Sequence, residues 1–151
     1  MNSASRHVSD FLQEIDHCRG RLDEFALWLY TNFTFGEESC LVPQVLLKDH
    51  GRTVTLYQSI RIPDSRHEHE SSEFNLTATL TIEGHSCSVE TGVEAHLEQK
   101  FDETPPGVHT LYRTRDADLD LDVAMLILRE RVDQMCRLRD IPARIGILRR
   151  S

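Results

Sequence analysis

The sequence predicts an α+β domain: an N-terminal helix, a four- to five-stranded antiparallel meander and a C-terminal helix, with both helices packed on one face of the sheet. A long segment alternates apolar and polar residues about Gly84-His85, and segments with helical apolar spacing precede and follow it. Because an amphipathic helix and a half-buried sheet both need apolar cover, a two-layer sandwich is the simplest arrangement. Within a single domain, 1–151, the predicted elements are a helix over 5–30, the sheet over 40–113, a helix over 118–139 and a tail over 140–151.

The central hairpin, 74–97, sets the register of the predicted sheet. Gly84 stands at the first central position of the turn, where a two-residue type II′ hairpin needs a positive φ. This turn places Leu80 opposite Val89 and Leu76 opposite Val93. The apolar residues of both arms then share one face, which we expect to be core.

A second hairpin is predicted around His50-Gly51, with strands over 40–48 and 53–62. Its register puts apolar residues on the core side: Leu41 opposite Ile60, Val45 opposite Leu56, and Leu47 opposite Val54. Pro43 has no N–H to donate, so the first strand should lie at an edge of the sheet. Residues 108–113 supply a short fifth strand.

The two helical segments differ in their charge pattern. The first carries one apolar stripe and polar residues elsewhere. The second has aspartates at its start, from Asp118 onwards, and arginines at its end, up to Arg139. Negative charge at the start and positive charge at the end complement the helix dipole. Pro142 ends it, and the tail brings apolar residues that need cover: Ile145, Ile147 and Leu148.

Composition excludes several classes of partner. The chain has 151 residues and a formal charge of −8, which disfavours nucleic acid and anionic membrane surfaces. It has no apolar run of the length that a membrane span needs. Since residues 1–16 also lack the basic-then-apolar design of a signal peptide, we expect a cytoplasmic protein.

Neither the cysteines nor the histidines form a recognisable metal site. Cys18, Cys40, Cys87 and Cys136 lie far apart, and reduced core thiols are the expected reading. In the loop 66–70, His67 and His69 alternate with glutamates, but no third His or Cys stands at metal-binding spacing. We therefore predict a solvated polar loop, no bound metal and no cofactor.

The polar face of the central hairpin gathers several acidic residues and one imidazole. In the predicted register Glu73 faces His96 and Asn75 faces Glu94, with Glu90 and Glu98 on the same side. Two carboxylates beside an imidazole can carry out general acid–base chemistry when burial shifts their pKa values. An exposed sheet face has the same composition without catalysis. Because no nucleophile motif or phosphate loop accompanies it, we favour a protein that is not an enzyme.

The outer face of the first hairpin departs from this polar pattern, because apolar and aromatic residues cluster there beside acidic ones. The predicted partner-binding residues are Val42, Leu46, Tyr57, Glu90, Glu94 and His96. Such a patch suits another protein, with a basic surface, or a second copy of the chain.

Two classes of function follow. The first is a small acidic protein-binding module without catalysis, analogous in size and build to effector chaperones and toxin-neutralising immunity proteins. The alternative is a ligand-binding protein or enzyme with a pocket between helix and curved sheet, as in cystatin-like folds. Gln58 and Thr91 are the polar inner-face residues available to such a pocket.

Overall fold

The computed structural model describes residues 3–35, 44–62, 72–101 and 103–150, and in these ranges the chain forms two layers. The helices are α1 (Ser3–Asn32) and α2 (Leu121–Met135). The strands are β1 (Gln44–Lys48), β2 (Thr53–Ile62), β3 (Ser72–Glu83), β4 (Ser86–Leu97) and β5 (Gly107–Leu119), all antiparallel and adjacent in chain order. The predicted α+β class, with an antiparallel meander between two helices, is confirmed.

The central hairpin has the predicted register. Glu83 pairs with Ser86, Leu80 with Val89, and Leu76 with Val93. Gly84 adopts a φ of +63°, the positive value that a type II′ turn requires at its first central position. Leu80 and Val89 are 1% and 0% exposed, so this cross-strand pair belongs to the core as expected.

The first hairpin also keeps its predicted register over the described residues, with Leu47 opposite Val54 and Val45 opposite Leu56. Asp49–Gly51 makes a tight turn in which all three residues have positive φ. The predicted Leu41–Ile60 pair and the role of Pro43 depend on residues outside the described ranges.

The boundary between β5 and α2 differs from the sequence prediction. β5 continues well past residue 113 because β4 offers backbone partners along its whole length, from Leu97 to Cys87. Asp118 therefore lies in the strand with a φ of 57°, and Asp120 is the N-cap residue of α2. Asp118, Asp120 and Asp122 thus span the junction between strand and helix, and of the three Asp122 alone lies in the first turn of α2.

The helices cover the sheet unequally. α1 packs against β2, while α2 packs against β3, β4 and β5. Polar contacts join the helices: the Arg21 Nε donates to Asp133 Oδ1 at 3.0 Å, and Arg129 pairs with Glu14 at 3.3 Å.

Neither helix in the described part of the chain combines the length and apolarity needed to cross a lipid bilayer.

The C-terminal tail docks against the end of α1. Ile145 and Ile147 are buried, whereas Leu148 is 71% exposed. The backbone N–H of Thr34 donates to the Leu148 carbonyl at 2.9 Å, and that of Arg150 donates to the Asn32 carbonyl at 2.7 Å. Two of the three apolar tail residues thus receive the cover that the sequence called for.

Leu80→Ala should destabilise the protein by about 2–5 kcal/mol, because it leaves a cavity at the centre of the core. Denaturant unfolding measures the effect. Leu126→Ala, at a position 65% exposed on α2, is the control and should cost less than about 0.5 kcal/mol. A similarly small loss for Leu80→Ala would contradict the assignment of this face to the core.

Asp116→Asn should remove a pH-dependent contribution to stability. The Arg131 guanidinium donates to both oxygens of Asp116, at 2.8 and 2.9 Å, and lowers the pKa of that carboxyl. A depressed pKa stabilises the fold above the unfolded value, near 4, and the benefit disappears as the pH falls through the folded value. The wild type should exceed the variant by about 1–3 kcal/mol at neutral pH.

The difference between wild type and Asp116→Asn should therefore shrink as unfolding is measured at progressively lower pH. Asp118→Asn, an exposed neighbour, is the matched control and should be nearly neutral throughout. A difference that does not change with pH would show that the loss does not come from the charge of Asp116.

Candidate functional site

The predicted apolar patch lies on the outer face of the first hairpin, the face opposite the helices. Leu46 is 37% exposed and stands opposite Thr55, two pairs along the strands from Tyr57, which stands opposite Gln44. Tyr57 is half-buried, and its hydroxyl donates to Asn75 Oδ1 at 2.9 Å. Val42 lies outside the described residues. Of the three apolar residues predicted for this patch, Leu46 is therefore the one whose side chain is shown to be exposed.

Tyr57 is anchored to the sheet by its tip. Its hydroxyl also lies 3.3 Å from Glu73 Oε2. Burial raises the pKa of the Tyr57 phenol, and the neighbouring Glu73 raises it further. The ring edge remains the part that a partner could contact, while the hydroxyl is occupied within the protein.

The acidic members of the predicted surface already have partners within the chain. Glu90 Oε1 accepts from Arg113 at 3.2 Å and lies 3.3 Å from Arg115 Nε. Glu94 Oε2 lies 2.9 Å from His96 Nε2. Sequence reasoning missed both ion pairs, because it ended the fifth strand at residue 113 and set no register between that strand and β4, where Arg115 lies opposite Glu90 and Arg113 opposite Gly92.

The outer face does not have the enclosure expected of an acid–base centre. The side chains of Glu94 and His96 are 41% and 42% exposed, so water reaches both groups. General acid–base sites usually exclude water and hold their groups in a shaped cavity. The exposure of these two side chains is that of a solvated sheet face.

A second surface opens on the other side of β1, at the end of the sheet near the turns. It is an open groove of about 400 Å³, lined by Phe11, Leu47, Gly51, Arg52, Val54, Leu80, Ile82, Leu121 and Met125. Its walls come from α1, from the first three strands and from the start of α2. This volume lies within the range of ligand pockets, roughly 300–1,000 Å³.

The groove exists because the helical layer ends before the sheet does. Val54 and Leu56 on β2 are 7% and 1% exposed, while their partners on β1, Leu47 and Val45, are 67% and 40% exposed. All four residues point to the same face. The inner side of β1 therefore has apolar residues without helical cover.

Sequence reasoning did not find this groove. It assigned Leu47 to the core and did not bring Phe11, Leu121 and Met125 together. One sequence feature pointed to additional apolar surface on α2. The continuous apolar run over 123–128 is wider than the apolar stripe of a helix that packs on one side only.

The polar inner-face residues Gln58 and Thr91 make hydrogen bonds between elements of the fold. The side-chain amide of Gln58, 1% exposed, donates to Asp23 on α1 at 3.3 Å. The hydroxyl of Thr91 is hydrogen-bonded to that of Thr114 on β5. These bonds tie the sheet to α1 and β4 to β5, and neither residue lines the groove.

Metal and thiol chemistry receive no support from the described residues. In those ranges no group of three or more His, Cys, Asp or Glu side chains is arranged to hold a metal ion. The loop with His67 and His69 lies outside them, as does Cys40. Burial raises the pKa of the Cys18 and Cys136 thiols to about 12, so both stay protonated at neutral pH.

No protein-family model, curated protein or solved structure matches the chain. Its function must therefore be inferred from its own surfaces. The two candidates are the outer face around Leu46 and the groove on the inner side of β1, which share the exposed strand between them.

Cys18 and Cys136 should resist alkylation in the folded protein. A pKa near 12 makes the thiolate fraction at about pH 8 roughly a thousandfold lower than in an unfolded chain. Iodoacetamide labelling followed by peptide mass spectrometry, with and without urea, measures both sites. Equal rates in the two conditions would show that these thiols are not buried.

Proposed function

We propose that this protein is a small acidic cytoplasmic module that binds another protein and has no catalytic activity. One observation carries the proposal: three consecutive residues of strand β1, Val45, Leu46 and Leu47, are 40%, 37% and 67% exposed. A surface strand normally has one polar face towards solvent and one apolar face against the core. This strand exposes apolar side chains on both faces. Such a strand is typical of a surface that another chain covers.

The position of β1 supports the same proposal. It is at the end of the described sheet and pairs with β2. An edge strand presents backbone N–H and C=O groups that a partner can extend by strand addition. Backbone pairing would supply affinity there, while Leu46 on one face and Leu47 on the other would select the partner's side chains.

Charge favours a basic partner over a second copy. The formal charge of −8 makes two copies repel one another, whereas it steers a basic protein towards the surface. A homodimer through β1 remains an outcome that the experiment below distinguishes. Effector chaperones and immunity proteins are the functional types to which we assign the module, on the analogy of size, acidity and build.

The groove favours a second candidate, a ligand-binding protein or an enzyme with a pocket between helix and sheet. Its volume, about 400 Å³, is sufficient for a small molecule. However, Arg52 is the one charged or polar side chain among the described residues that line it. Small-molecule sites use several converging polar groups to fix the ligand's orientation, so the first candidate is preferred.

Leu46→Asp should abolish complex formation and leave the fold intact, because it places a charge in the proposed contact. Leu126→Asp, at an exposed position on α2, is the matched control. Each tagged variant is used to capture proteins from the source cytosol, and light scattering compares its mass with the 17.4 kDa of the chain.

The proposal expects a protein that the wild type and Leu126→Asp retain and Leu46→Asp loses. A mass of twice the monomer, lost in Leu46→Asp, would instead identify a homodimer. If the wild type and both variants retain the same proteins and have the same mass, β1 is not the binding surface. Circular dichroism checks that each variant is folded.

A further inference from the structure

We propose that the C-terminal tail and the end of α1 form a basic surface that binds an acidic segment of another protein. This arginine surface consists of three arginines and two aromatic residues: Arg139, Arg149, Arg150, Trp28 and Tyr30. It includes neither β1 nor the groove, so it is a second surface that goes beyond the proposed function. Its centre is about 25 Å from the groove residue Phe11 along the axis of α1.

Two aromatic side chains near the end of α1 bring the arginines together. The Arg139 guanidinium lies 4.4 Å from the centroid of the Trp28 ring, and that of Arg149 lies 5.9 Å from the same centroid. The Arg150 guanidinium lies 5.7 Å from the centroid of the Tyr30 ring. Contacts between a guanidinium and an aromatic face are favourable and orient both groups. Three positive charges from separate parts of the tail are therefore held at one end of α1.

Backbone carbonyls orient these arginines without neutralising them. Arg139 donates to two carbonyls close to the end of α2, at 2.7 and 3.0 Å. Arg150 donates to the carbonyls of Tyr30 and Phe35, at 3.3 and 3.2 Å. A carbonyl oxygen carries no net charge, and a guanidinium has five N–H donors. All three arginines are exposed, so donors and positive charge remain for a partner.

Arginines on other elements of the chain are paired with carboxylates. Six of them have a carboxylate oxygen at 2.7–3.3 Å: Arg19, Arg21, Arg113, Arg115, Arg129 and Arg131. Within the described ranges, no carboxylate lies at salt-bridge distance from an arginine of 137–150. That segment contains five arginines and one acidic residue, Asp140, in a chain of formal charge −8. Positive charge is therefore concentrated and unpaired there.

The composition of the arginine surface suits an acidic protein segment. Trp, Tyr and Arg are the residue types that contribute most often to binding at protein interfaces. The planar guanidinium can donate two parallel hydrogen bonds to one carboxylate. A nucleic acid or an anionic membrane would extend past this small surface and meet a chain whose formal charge is −8. A short run of aspartate and glutamate would stay on the surface.

The test uses the full chain and labelled peptides of about 12 residues, up to ~40 Å long when extended. The acidic peptide alternates aspartate or glutamate with serine. The amide peptide has asparagine and glutamine at the same positions. Fluorescence anisotropy of the label measures each dissociation constant at low and high salt. Trp28 is the single tryptophan of the chain, so its emission reports contact at the arginine surface.

Two double variants separate this surface from general charge attraction. Arg139→Gln plus Arg149→Gln removes the two charges beside Trp28. Arg19→Gln plus Arg113→Gln is the matched control, because it removes the same charge at positions that are 52% and 65% exposed. The two double variants have equal formal charge, so a difference between them measures location. Denaturant unfolding checks that each is folded.

We expect the acidic peptide to bind the wild type at least about tenfold more tightly than the amide peptide, and to change the emission of Trp28. Arg139→Gln plus Arg149→Gln should weaken this binding by at least about tenfold, and the control by less than about twofold. High salt should weaken it as well, because it screens exposed charges.

Three results would each overturn the inference: equal binding of the acidic and amide peptides, equal weakening by the two double variants, or unchanged Trp28 emission when the acidic peptide binds. Tighter binding of a single-stranded oligonucleotide or of phosphatidylserine vesicles would also overturn it, by assigning the surface to another anion. Two of these comparisons use the wild type alone, so they decide the question even if a variant unfolds. Leu46→Asp should bind the acidic peptide normally, which keeps the β1 proposal separate.

Discussion

The contact on which the rest of the molecule depends is the apolar inner face of the β3–β4 hairpin against the helices. Leu76, Leu80, Val89 and Val93 form two cross-strand pairs that are fully buried. Burying a large aliphatic side chain contributes roughly 1.5–3 kcal/mol, so these four residues contribute substantially to the stability of the sheet. The hairpin also fixes where β2 and β5 attach. Both helices can pack only where that attachment leaves apolar surface.

A set of polar contacts then orients the layers around this core. Gln58 bonds to Asp23 between β2 and α1, and Arg131 forms its paired bonds with Asp116 between α2 and β5. Hydrogen bonds of this kind stabilise modestly, but a group left buried without its partner costs more. The apolar face by itself would allow the helices to pack in several orientations. The polar contacts therefore select one of these orientations.

The same arrangement explains why β1 is open on both sides. In the described part of the chain the helices pack mainly over β2 to β5, and the apolar residues that continue the inner pattern onto β1, Val45 and Leu47, are 40% and 67% exposed. Leu47 satisfies the alternation of a core strand and is nevertheless the most exposed residue of the three apolar ones on β1. A chain that keeps such residues exposed loses solubility unless another molecule covers them. The proposed partner surfaces on the two sides of β1 both follow from this geometry.

The sequence by itself determined the elements and the registers. Alternation with a period of two and the turn residues at Gly84 and Gly51 set which residues face each other, because these are local properties. It did not determine that Leu47 is exposed, that Arg113 and Arg115 neutralise Glu90, or that the strand continues through Asp118. Each of these depends on residues distant in the chain: where the helices end, and how much of β4 remains unpaired. Burial and strand length at an edge are decided by tertiary neighbours, and hydrophobic patterning alone cannot supply them.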